Sequence, residues 1–292
     1  MRKQFYKTLE TVIKTDARVI VLLGDIGVFG CRNIFSNFPN QIINIGVCEQ
    51  SMISMAAGLA REGFIPIVHT IAPFMVERGL EQLKLDVGYQ KLPVKIVSIG
   101  GSYDYASLGV THHCPADVAI IKTIPSFNII VPGCAEEFNK LFLNTYDNSS
   151  PTYYRLSDYN HTKSITVSSV YPNVIKEGTL GTIIVVGNLL SNVLDATEKL
   201  DVSVLYYTTL HPFDTSILQS HYNRGKIVIV EPFYEGTLVN DVVNAFIKRP
   251  IAVKSIGVSR YFHTYYGKKE EHDKLYRLTP LQLEQQIKDF IF

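Results

Sequence analysis

Glu49 stands in the stretch NIGVCEQSMISMAAGLAREGF (Asn44–Phe64), immediately before a run, Ser51–Ala60, that carries no charge. Met, Ile, Ala, Gly and Leu recur through that run, so the expected helix has no charged face and belongs inside a protein rather than on its surface. An ionised carboxylate entering such a place is costly unless something is bonded to it. Glu49 is then either a first-turn acid favoured by the helix dipole or a group with a buried partner.

Other residues have types suited to chemistry. His112 and His113 sit in GGSYDYASLGVTHHCP (100–115), a long loop just after an expected strand. Loops of that length inside compact domains are usually functional, although a loop histidine can equally be solvated or structural. Phe74 opens a helix after VHTIAP and reads first as a core residue. Asp25 closes VIVLLGD and is either a cap or a site acid. Histidine and cysteine show no HExxH or CxxC spacing, and there is no GxGxxG, Walker or GxSxG motif, so the common metal, nucleotide and hydrolase readings lack support.

The elements that must hold these residues alternate. Segments 18–24, 64–70, 93–100, 128–132 and 151–157 are short and rich in β-branched residues, as strands are. Between most of them lie helical patterns at 48–61, 73–91, 116–124 and 134–147. Strand then helix, repeated, predicts a parallel sheet covered on both faces. An irregular polar stretch, 161–178, reads as a linker, after which alternation resumes at 181–188, 202–210, 226–232 and 252–258, with a last helix at 280–291. The expected fold is α/β with two domains, 1–160 and 179–292, each a mostly parallel sheet with helices on both faces. Ligands in such sheets sit beyond the carboxyl ends of the strands, where the loops 24–30, 100–115 and 232–237 fall.

Composition narrows the class. A chain of 292 residues with 46% hydrophobic and 19% charged residues is globular. A net charge of +1 with scattered Lys and Arg gives no footprint for nucleic acid or a membrane surface. The uncharged run Phe64–Val76 is too short to span a bilayer. Four cysteines without metal spacing are expected as reduced thiols, and the amphipathic N-terminus lacks a signal core. The expectation is a soluble cytoplasmic protein.

Three segments, in order and spacing, resemble the C-terminal half of transketolase. NIGVCEQSMISMAAGLAREGFIPIVHTIAPF is similar to the segment that carries the glutamate of the thiamine pyrimidine domain. LGVTHHCPADVAIIKTIPSFNIIVPGCAEE is similar to the G-x-T-H-Q loop with its succeeding helix and strand. LHPFD (210–214) and VEPFYEGTLVNDVVNAF (230–246) resemble the transketolase C-terminal domain. The resemblance implies that Glu49 hydrogen-bonds N1′ of the aminopyrimidine of thiamine diphosphate and is catalytic. It implies that Phe74 packs on that ring, that Asp25 lies near the cofactor, and that His112 faces the reacting carbon. His69 is read with His112 as substrate-binding. The implied reaction moves a two-carbon ketol unit from a ketose to an aldose-type acceptor.

The family's GDG…N motif, which holds the diphosphate and Mg²⁺, has no counterpart here; LGDIG (23–27) is not that motif. The resemblance therefore implies a separate N-terminal-type subunit that anchors both, expected in an α₂β₂ assembly. Asp158 also stands where the family has an arginine for the sugar phosphate, and Gly100 and Leu108 replace its histidine and aspartate. That departure points to a non-standard sugar, unphosphorylated or nucleotide-linked. Rival readings are a 2-oxo acid dehydrogenase β-like or deoxyxylulose phosphate synthase-like chain, or a non-catalytic partner subunit.

Overall fold

In the computed structural model, which describes residues 1–292, the expected alternation forms two sheets. The strands are β1 (Val19–Leu23), β2 (Ile42–Asn44), β3 (Ile65–Ile71), β4 (Lys95–Ile99), β5 (Asn128–Ile130), β6 (Thr152–Arg155), β7 (Asn173–Lys176), β8 (Thr182–Val186), β9 (Ser203–Tyr207), β10 (Thr209–His211), β11 (Lys226–Tyr234) and β12 (Ala252–Val258). β1, β3, β4 and β6 are buried at every residue. That is why β1, VIVLL, reads as a continuous apolar run rather than an alternating one; β3, β4 and β6 bury polar side chains as well.

The first sheet has the order β10-β5-β6-β4-β3-β1-β2 and is parallel except for β10, which runs antiparallel to β5. The chain adds β2 on one side of β1 and then crosses to place β3 on the other. The order therefore reverses at β1, and the crevice beyond the carboxyl ends of β1 and β3 is a topological switch point. The second sheet, β12-β11-β8-β9-β7, is parallel except for β7.

Two layers of helices cover the first sheet. The helix Arg2–Thr15 buries Phe5, Leu9, Val12 and Ile13 and packs on the helix Ala135–Thr145. The helix Glu49–Arg61 packs on β3. Contrary to the all-round burial expected of it, only Glu49, Met52, Ile53, Ala56, Ala57 and Ala60 are covered, while Gln50, Ser51, Ser54, Met55 and Gly58 are open. Without charge to mark it, the open face could not be told from the buried one in the sequence.

The helix expected over 73–91 is broken into Ala72–Val76, Leu80–Gln82 and a wide π-helical turn, Leu83–Gly88. Close packing at Gly79 accompanies the break. A Cβ there would lie 2.3 Å from Ile53 Cδ1 and 2.7 Å from the Met75 carbonyl. The stretch read as a linker contains the edge strand β7, and β10 leaves the second half of the chain to pair in the first sheet. No helix is long and apolar enough to cross a membrane.

Candidate active site at the switch point

Glu49 begins its helix at the switch point and is fully buried. Its neighbours come from three elements. Gly24 follows β1, and a Cβ there would crowd Thr70 Cβ at 3.1 Å while meeting Glu49 Oε1 at an ordinary 3.6 Å, so the glycine leaves room for the Thr70 side chain beside the carboxylate. Thr70 of β3 donates its hydroxyl to Oε1 at a long 3.3 Å. Arg78 donates from Nη1 to Oε2 at 2.6 Å, and its side chain is 38% exposed. Oε1 is thus left with one weak contact.

Phe74 and Arg78 are four residues apart, close enough to share one side of the chain. The guanidinium lies over the Phe74 ring, 4.4 Å from its centre. On the same ring the His112 imidazole packs edge-on, with centroids 5.4 Å apart, and Tyr105 approaches His112 at 6.4 Å. His112 Nδ1 is 3.0 Å from Thr111 Oγ1. The loop that carries them is closed at its neck by reciprocal backbone bonds between Ser102 and Cys114 (3.0 and 2.7 Å). Glu49, Phe74 and His112, far apart in sequence, are therefore brought together.

Asp25 and His69 stand differently. Asp25 is exposed with φ +66°, and its N–H is held by Asn44 Oδ1 at 2.9 Å; it shapes the loop after β1. Alternation along β3 sends His69 to the opposite face from Thr70. There it is fully buried against Phe5, with Nδ1 2.8 Å from the Val97 carbonyl and Nε2 unpartnered. Burial lowers its pKa to about 4, so the ring is neutral. His69 does not join the Glu49 group.

Beside Gly27, which packs on His69, a cavity of about 620 Å³ opens under the N-terminal helix. Arg2, Lys3, Lys7 and Arg32 line it against a single acid, Glu10, and Arg2 Nε donates to Tyr6 Oη at 2.8 Å. Arg2 also lies close enough to Asp158 for its charge to act on it. The sequence reading missed this basic cavity because its residues come from two segments, 2–10 and 27–34, that only the fold brings together. Arg155, near Asp158 in sequence, turns inward to a buried ion pair with Asp117 at 2.7 Å.

The one cluster of metal-type ligands is Cys134, Glu137 and His161, whose ligand atoms lie within 4.8 Å of one another. His161 Nδ1 accepts the Lys163 N–H, so Nε2 carries the proton and donates to Glu137 at 2.9 Å; Tyr206 donates to the other oxygen at 2.7 Å. The cluster is a satisfied hydrogen-bond network joining the first sheet's layer to β9, apart from the Glu49 group.

The sequence pattern described as "Transketolase, pyrimidine binding domain" matches residues 1–162. The chain is 36% identical over 291 residues to an "Uncharacterized 33.6 kDa protein in fasciation locus" of Rhodococcoides fascians, covering 98% of this chain and 93% of that one. It is 31% identical over 258 residues to an apulose-4-phosphate transketolase subunit of Phocaeicola vulgatus, covering 84% and 80%. A solved structure described as "Split gene transketolase, inactive beta4 tetramer" superposes with a TM-score of 0.89 at 24% identity, over 99% of this chain and 97% of that one, and so shares the fold. With the family pattern over more than half of its length and relatives similar over most of the rest, the chain belongs to the transketolase family.

Proposed function

We propose that this chain is the second subunit of a two-chain, thiamine diphosphate-dependent transketolase, with Glu49, Phe74 and His112 at the reacting end. The observation that carries the reading is the fully buried Glu49 carboxylate at the switch point, its Oε1 all but unclaimed and an aromatic ring alongside. These residues fit the aminopyrimidine end of the cofactor: a carboxyl to bond a ring nitrogen and a flat apolar surface to stack on it. The diphosphate end finds no such fit. The GDG…N motif that holds the diphosphate and Mg²⁺ in the family has no counterpart in the sequence, and on that ground we assign both to a partner chain, in an α₂β₂ assembly.

When bound, the cofactor supplies the electron sink for breaking a carbon–carbon bond. Glu49 shares a proton with the ring nitrogen, which its removal from water favours. Phe74 fixes the ring plane. His112, oriented by Thr111 and by the edge of Phe74, is the donor for charge developing on the substrate oxygen. Asp25 shapes the crevice wall.

The basic cavity shapes the substrate reading. Four cations and one acid favour a sugar with an anionic group on its far end. The apulose 4-phosphate in the name of the Phocaeicola relative is such a sugar. We place the substrate among non-standard sugars, with Asp158 beside the cavity in place of an arginine. His69, beneath Gly27, backs the cavity rather than facing the reacting carbon.

The test is reconstitution. The chain is mixed with its N-terminal-type partner, thiamine diphosphate and Mg²⁺, and supplied with hydroxypyruvate or pyruvate as donor and an aldose as acceptor. Two-carbon ketol transfer from hydroxypyruvate, absent from either chain alone, is the expected result. Turnover of pyruvate instead would favour a synthase or dehydrogenase type, and ketol transfer by the isolated chain would refute the two-chain reading.

A further inference from the structure

The cavity under the N-terminal helix is larger than a single anionic group needs. One phosphate engages one or two cations, whereas a space of about 620 Å³ has the size of a site for a whole small molecule. Its lining is ordered as well. Arg2, Lys3, Lys7 and Glu10 lie along one side of the helix, with Arg2 and Glu10 eight residues, or about 12 Å, apart on its axis. The cations stand at the end nearer His112: Tyr105, which meets His112 edge-on at 6.4 Å between ring centres, has Arg2 and Asp158 close to it. The acid stands farther along, held by Lys14 at 2.7 Å.

The facing segment is the loop after β1. It leaves Gly24, beside Glu49, and reaches Phe29 five residues later, so the two backbone positions are at most about 18 Å apart. Phe29 lines the cavity and is 80% exposed. Arg32 sets its guanidinium 4.5 Å from the centre of that ring and donates from Nη1 to the Phe29 carbonyl at 2.9 Å. A phosphate makes no use of an aromatic ring, whereas a nucleic-acid base stacks on one. Glu10 tells the same way, because a carboxylate repels an anion but accepts hydrogen bonds from ribose hydroxyls. Outward from His112, hydroxyl-binding groups, cations, a carboxylate and an aromatic platform thus follow the order of sugar, diphosphate, ribose and base.

We propose that this cavity seats the nucleoside diphosphate part of a nucleotide-linked sugar. The diphosphate lies on Arg2, Lys3 and Lys7, the ribose at Glu10 and the base on Phe29, so that the sugar reaches past Tyr105 and Asp158 to His112. The proposal rests on the reading of the chain as a transketolase subunit with its reacting end at Glu49 and His112. The diphosphate link occupies the anomeric carbon, so the carbonyl that accepts the two-carbon unit is a ketone or aldehyde on another carbon of the sugar. The carbon–carbon bond broken in the donor ketose is replaced by one to that carbon. Its oxygen gains the proton that the donor's C3 hydroxyl loses as the shortened donor leaves as an aldehyde.

The test is calorimetric titration of the reconstituted two-chain complex, saturated with thiamine diphosphate and Mg²⁺, with ADP, GDP, UDP and CDP, and with inorganic pyrophosphate for comparison. At least one nucleoside diphosphate is expected to bind about tenfold tighter than pyrophosphate, the scale of one base stacked on an aromatic ring. Phe29→Ala, at an exposed position that leaves the core intact, is expected to remove most of that advantage, and Phe29→Tyr to keep it. Lys7→Ala is expected to weaken nucleoside diphosphate and pyrophosphate alike, by about tenfold, as loss of a charge-assisted contact would. Pyrophosphate binding as tight as every nucleoside diphosphate overturns the proposal and leaves an anion site only. Undiminished nucleotide binding in Phe29→Ala overturns it too. Binding by the free chain that disappears on reconstitution would make the cavity a surface covered by the partner, and is equally fatal. Ketol transfer from hydroxypyruvate to glycolaldehyde, measured on the same preparation, separates the two levels. Its absence overturns the reading of function and the substrate assignment with it, whereas transfer without nucleotide binding overturns the present proposal alone.

Discussion

Arg155 donates from Nε to Asp117 Oδ2 at 2.7 Å, with both side chains almost wholly out of water. The same carboxylate oxygen accepts from Tyr153 Oη at 2.9 Å, and Arg155 Nη2 reaches Ser102 Oγ at 2.7 Å and the Pro232 carbonyl at 3.4 Å. One buried ion pair thus ties β6 to the neck of the loop that carries His112 and to the end of β11.

Breaking that pair from one side leaves a buried charge alone. Asp117→Ala is expected to lower stability by about 3–5 kcal/mol, measured by urea unfolding. A loss below about 1 kcal/mol would show that the rest of the network holds Arg155 without it.

Glu49→Ala in the reconstituted complex is expected to reduce ketol transfer by about a hundredfold or more, the scale of a lost proton-sharing group. An undiminished rate would favour the non-catalytic partner reading.

His112→Ala is expected to lower kcat by about a hundredfold while changing KM little, because its contact with the oxygen strengthens only as charge develops. An effect confined to KM would place His112 in ground-state binding instead.

His69 ties stability to pH. Its folded pKa, about 4, lies below the unfolded value near 6.5, so the unfolded chain takes up a proton first as pH falls. The stabilisation is complete above about pH 7 and shrinks as pH falls towards 4, with about 2 kcal/mol lost between pH 7 and pH 5. His69→Phe should flatten that part of the stability profile relative to the parent chain, as measured by denaturant unfolding at several pH values. An unchanged slope would mean that the buried ring does not stay neutral.

Arg2→Ala is expected to raise KM for a sugar bearing a phosphate or sulfonate at its far end by about tenfold, as loss of one charge-assisted contact would. Neutral sugars should be little affected. Equal effects on charged and neutral acceptors would remove the cavity from substrate binding.

Much of the fold was legible in the sequence, for a local reason. Runs such as VIVLL are β-branched and apolar at consecutive positions, and the helices between them carry their own period, so both the alternation and the class of the fold come from neighbours within a few residues. Glu49 was conspicuous because a lone acid heads an uncharged run. The short strands β2, β7 and β10 were not legible, since three or four residues carry too little pattern and their pairing is settled by partners distant in the chain. Arg78 lay within reach of a sequence reading, four residues beyond Phe74, but its salt bridge to Glu49 crosses from the turn after Val76 to the start of a helix distant in the chain.

The sequence by itself determined which residues carry reactive groups and which segments are strand or helix, because those depend on side-chain type and local period. Only the tertiary structure decided that β1 and β3 open a crevice where Glu49, Phe74, Arg78 and His112 meet, that His69 turns away beneath the N-terminal helix, and that four cations gather beside Gly27. Those outcomes depend on which strand edge each segment joins and which face it buries, and these are fixed by packing between segments far apart along the chain.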